Sequence, residues 1–147
     1  MHQGCARIAR DDAASAVVRH EGTDRGRGLP LAVRHVKDLE SGTKVVGRTV
    51  AELGARNQPQ DIVSFRQGDA EYLLICHSAH PLMKIACADI LSQGALTEPQ
   101  APVGVPREEL DVPGVRRLAN LNGDHVLAMV RDEDGARHLR SLKTASL

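Results

Sequence analysis

The amino-acid sequence predicts an all-β fold of antiparallel meanders, and three observations carry that reading. From Asp61 to Ile90, short apolar runs alternate with turn residues, and the connections are too tight for a crossover helix. A second succession of the same kind starts at Val115, with Asn122-Gly123 between two apolar runs; that dipeptide is the strongest short hairpin signal. Between Leu29 and Lys143 almost nothing reads as helix.

The elements follow in order. Residues 1–28 are rich in Ala, Arg, Asp and Gly, with Val17-Val18 as a lone apolar pair. They are expected to be poorly ordered, with at most a weak helix over Ala6 to Arg19. Leu31–Val36 reads as a strand and Leu39–Gly42 as a turn. Thr43–Leu53 carries Val45, Val46, Thr49 and Val50 and reads as a second strand, with a bulge or close approach at Gly47. Gly54–Pro59 is a loop, and Pro59 favours an extended start to the strand Asp61–Phe65. Gln67-Gly68-Asp69 is a turn. Glu71–Cys76 is a near-continuous apolar run, too short for an ordinary helix, and reads as a strand buried on both faces.

His77-Ser-Ala-His-Pro81 breaks that strand, and Leu82–Ile90 alternates as the next one. A turn centred near Ala79-His80 places Cys76 opposite Met83 and Cys87 opposite Tyr72. The two thiols would then be ~13 Å apart along the ladder, beyond the ~7 Å Cα separation that a disulfide spans. Cys5, Cys76 and Cys87 are therefore expected to be free. Gly94–Thr97 reads as a short edge strand. Pro99, Pro102 and Pro106 punctuate the stretch after it, and Arg107–Leu110 reads as one helical turn. Gly114–Leu121 and His125–Arg131 form the second hairpin. Asp132–Gly135 is a turn, and Ala136–Lys143 is a third strand, although Ala136, Leu139 and Leu142 are also spaced as on a helix.

Bulk properties narrow the function. Basic and acidic residues balance at 19 each, so there is no overall field to attract nucleic acid or a membrane surface. Aromatics are 1% of the chain, only Phe65 and Tyr72, which removes the stacking platform of single-strand binders. No apolar run approaches the ~20 residues of a membrane-spanning helix, and no signal peptide is visible. Arginine greatly outnumbers lysine, which reads as compositional bias.

The two successions from Asp61 and from Val115 form a loose internal repeat. The offset from Asp69 to Asp124 is about that of one β-propeller blade, ~40–50 residues. On that plan the chain divides into a segment 1–28, a blade remnant 29–54, a blade 57–100 and a blade 107–147. Gly47–Gly54, Asn57–Asp61, Tyr72–Leu74 and Pro81–Ile85 carry a resemblance. With these residues the chain resembles the C-terminal blades of a largely uncharacterised group of bacterial β-propeller proteins. The resemblance implies an incomplete propeller and an exported or periplasmic parent. A closed disk needs at least about four blades, so a fragment of a longer propeller or a truncated reading frame is expected. Self-association through open blade edges is expected too.

In propeller topology the loops Gly54–Gln60 and His77–Pro81 open on one rim, which brings Asn57, Asp61, His77 and His80 together as candidate binding residues. Asn57 and Asp61 offer oxygen ligands for calcium, or an Asx turn at the start of a strand. His77 and His80 offer imidazole ligands for zinc or an acid/base pair, or simply a polar hairpin loop. Cys76 and His77 are adjacent on a strand and point to opposite faces, which disfavours a thiolate–imidazole pair. Arg131–Asp134 reads as a solvated turn. No phosphate-binding glycine loop, serine elbow, paired-cysteine or His-Glu-x-x-His motif is present. The expected function is a binding or interaction module for a small molecule or protein partner, with no catalytic residue assigned. The alternative is part of a calcium-dependent propeller hydrolase or lactonase.

Overall fold

The computed structural model describes residues 5–8, 16–20, 30–35, 41–42, 44, 46–54, 58–97 and 103–147. The fold is all-β, with antiparallel sheets. The first sheet is a meander of β1 (Cys5–Ile8), β2 (Ala16–His20), β3 (Pro30–His35) and β4 (Arg48–Glu52), with β8 (Val103–Gly104) added beyond β4. The second contains β5 (Pro59–Gln67), β6 (Ala70–His77), β7 (Leu82–Ala86) and β9 (Glu108–Leu110), in that order. The third is β10 (Val115–Asn122), β11 (His125–Arg131) and β12 (Arg137–Lys143). Strand β5 has β1 and β10 as its spatial neighbours in the other two sheets.

The second sheet lies between the other two because β6 is apolar on both faces. Leu73 and Ile75 join Leu31, Val33, Val50 and Leu53 of the first sheet in one core. Leu74 and Cys76 join Val115, Leu118, Val126 and Ala128 of the third sheet in another. Successive strand residues alternate faces, so an uninterrupted apolar run serves both cores. Leu73, Leu74 and Ile75 have no exposed surface. Strands β5 and β7 divide likewise: Ile62, Met83 and Ile85 enter the first core, and Phe65 and Leu82 the second.

Several elements differ from expectation. Strand β7 ends at Ala86, and a short helix α1 (Cys87–Ser92) follows it. Cys87, Ile90 and Leu91 are spaced to share one helical face, and that face packs into the first core. Arg48 closes the helix end by donating from Nη2 to the Leu91 carbonyl at 2.8 Å. Arg107–Leu110 is not a helical turn: Glu108–Leu110 is the strand β9, with Leu110 opposite Leu82 and Glu108 opposite Lys84. The Lys84 Nζ lies 3.6 Å from Glu108, a non-local pairing that overrides local preference. Gly94–Thr97 forms no strand, although the Leu96 N–H reaches the Thr49 carbonyl at 2.9 Å. Within Ala6 to Arg19, the described stretches belong to strands β1 and β2 rather than to a helix.

The β6–β7 register is one residue from the expected one. Ile75 pairs with Met83 and Tyr72 with Ala86, so Cys76 is not opposite Met83 and Cys87 lies beyond the ladder. Alternation along β6 puts Cys76 in the second core, and helix α1 puts Cys87 in the first. Neither Cys76 nor Cys87 forms a disulfide, and both are buried. Burial, followed by the charge of Asp61, pushes the Cys76 thiol up to about 12. Alkylation of the native protein should therefore spare Cys76 and Cys87, and alkylation after denaturation without reductant should label both. Protection of the pair in the denatured chain would contradict this packing.

Candidate functional site

One end of the sheet stack gathers the loops that carry the candidate residues. Strand β5 starts there, β6 ends there, β7 leaves it, β9 ends at it and β10 starts from it. The Gly68-Asp69 turn between β5 and β6 lies at the opposite end of that hairpin. The 77–81 loop faces the Asp111–Gly114 connection, and between them is an open cavity of about 330 Å³. Leu82, Leu110 and Val112 give it apolar wall, while His80, Asp111 and Arg116 give it polar and charged groups.

The loop geometry is held by short bonds. The Ser78 N–H donates to the Gln58 carbonyl at 2.9 Å, and the Gln58 N–H donates to Ser78 Oγ at 2.9 Å. This reciprocal pair ties the β4–β5 connection to the β6–β7 loop. The exposed His80 packs over Gly54, whose φ is +112°, and a Cβ there would sit 3.0 Å from His80 Nε2. The N–H of Gly54 donates to Glu52 Oε1 at 3.3 Å, which gives that buried carboxylate a partner. Gly114, at φ +76°, lets β10 start hard against β11: its carbonyl accepts from the Arg131 N–H at 2.9 Å, and a Cβ would collide with the Arg131 carbonyl.

The four expected site residues separate by role. His77 and His80 both line the cavity, His77 buried and His80 exposed. Asn57 lies outside the described residues. Asp61 is at the same end but does not line the cavity. Its Oδ1 accepts from the Ile62 N–H at 3.0 Å, and its Oδ2 accepts from the Leu118 N–H at 3.2 Å. The carboxylate thus bridges β5 to β10, using a donor on the edge strand of another sheet. Among the described residues, no group of three or more His, Cys, Asp or Glu side chains is placed to hold a metal ion.

A second groove, of about 430 Å³, lies at the same end of the third sheet. Gln60, Arg116, Arg117, Met129, Arg131 and Arg137 line it. Sequence reasoning missed it because these arginines come from β10, β11 and β12 and converge only through the strand register. The Arg116-Arg117 dipeptide was the one local signal.

Replacing Asp61 with Ala removes a charged acceptor from two backbone donors. The expected loss is roughly 1.5–3 kcal/mol by chemical denaturation. It should be the same with calcium as with a chelator. A calcium-dependent stabilisation of the wild type that vanishes in the variant would instead make Asp61 a cation ligand. Compared with known proteins, the chain matches no protein family, no curated protein and no solved structure.

Proposed function

We propose that this chain is a binding module of the β-propeller type, part of a longer disk, whose rim takes a small molecule or a partner chain. The cavity between the 77–81 and 111–114 loops is the observation that carries this reading. Its size falls within the ~300–1,000 Å³ of small-ligand sites, and its apolar wall with a few polar groups suits orientation of a ligand.

The arrangement of the sheets supports the propeller reading. Three meanders follow one another along the chain, and their first strands β1, β5 and β10 are spatial neighbours. The last strand of the second sheet, β9, leads through a short connection into the first strand of the third. Propeller blades are four-stranded meanders whose inner strands surround an axis, and such a plan puts the β6–β7 and β9–β10 connections on one rim. On the same reading, the exported bacterial parent and the open outer faces of the stack follow. No observation favours the calcium-dependent hydrolase: both carboxylate oxygens of Asp61 already accept backbone N–H groups.

A panel of small sugars, carboxylates and amides, titrated into isotopically labelled protein, tests the proposal. At least one class should shift the amides of residues 77–80 and 111–116 together, and His80→Ala should weaken that response. Shifts confined to other regions, or none across the panel at millimolar concentration, would refute a rim site for small ligands.

A further inference from the structure

We propose that the arginine groove of the third sheet binds a small polyanion carrying two or more phosphoryl groups. Four guanidinium side chains, Arg116, Arg117, Arg131 and Arg137, line the groove with Gln60 and Met129, and no acidic residue lines it. The chain as a whole carries no net charge, so this is a local excess.

The register makes the excess unusual. Arg131 and Arg137 are direct cross-strand partners in the β11–β12 ladder, and Arg117 pairs with Met129 one step along. Like charges directly opposite on a sheet are destabilising, and no ion pair within the described residues relieves this one. The adjoining turn contains Asp132, Glu133 and Asp134, but none of them lines the groove. Asp132 is committed elsewhere: it accepts from the Ala136 N–H at 2.7 Å and bonds His138 Nε2 at 2.8 Å. A bound anion offsets the repulsion that the protein leaves in place.

One of the guanidiniums is held by a hydrogen bond, and a second lies close over a turn. Arg117 Nη1 donates to the Gln60 carbonyl at 2.6 Å, which fixes its side chain across the sheet boundary. Arg131 lies over the turn at Gly135, where φ is +85° and an added Cβ would come within 3.3 Å of Nη2. A planar guanidinium offers paired donors that match phosphoryl oxygens. A single carboxylate would neutralise one of the four, whereas a diphosphate has the charge and the reach to engage several. Nucleic acid fits less well: both aromatic residues of the chain, Phe65 and Tyr72, stack on each other at 5.7 Å, and neither lines the groove. The inference depends on the strand register alone and does not rest on the propeller reading.

Inorganic pyrophosphate is the probe, titrated at low salt by calorimetry and thermal shift, with orthophosphate and a short single-stranded oligonucleotide as further arms. Pyrophosphate should bind saturably and more tightly than orthophosphate. Arg131→Gln and Arg137→Gln should each weaken it about tenfold. Arg140→Gln, which removes the same charge from the same strand outside the groove, should leave affinity unchanged. Without ligand, Arg137→Gln should be at least as thermally stable as the wild type, because it relieves the like-charge pair. Absence of saturable binding, or equal weakening by all three substitutions, would overturn the proposal. Tighter binding of the oligonucleotide than of pyrophosphate would overturn it in favour of nucleic acid.

Discussion

The structure depends on one strand being buried on both faces. The run from Tyr72 to Cys76 sends Leu73 and Ile75 to one side and Leu74 and Cys76 to the other, so a single strand anchors two cores. Each fully buried Leu or Ile contributes about 1.5–3 kcal/mol relative to exposure, an upper figure because the unfolded chain already hides some apolar surface. The flanking sheets can then be thin, each needing only one apolar face. The same constraint locates the cavity: β6 stops at His77, and the break that follows brings His80 as well against the connection that enters the third sheet.

Those elements whose signals are local were legible in the sequence. The β5–β6 hairpin and the β10–β11 hairpin each have a glycine turn between apolar runs, and both form as read. The misread elements depend on partners far along the chain. Strand β9 has the composition of a helical turn, and only its pairing with β7 makes it a strand. Alternation and helical spacing overlap at Cys87, so nothing local marks the end of β7. The β6–β7 register depended on the centre of a five-residue break, and the helix that follows β7 takes Cys87 off the ladder altogether.

The site was legible in the same uneven way. His77 and His80 stand out in the sequence because they sit at a short break between apolar runs, and both line the cavity. Asp61 stands out beside a turn, but its bond from the N–H of Leu118, a donor in another sheet, follows from no sequence pattern. The arginine groove was hidden for a related reason. Whole-chain neutrality says nothing about local charge, and a cross-strand pair such as Arg131 and Arg137 exists only once the turn between them is known.

Residue-level hydrogen exchange tests the central claim that β6 anchors both cores. The amides of Leu73, Leu74 and Ile75 should be among the slowest in the protein and exchange only by global unfolding, with the same denaturant dependence as Val126 and Ala128 of the third sheet. Faster exchange in β6 than in β11, through a local opening insensitive to denaturant, would contradict it, because the third sheet would then be stable without the strand on which it packs.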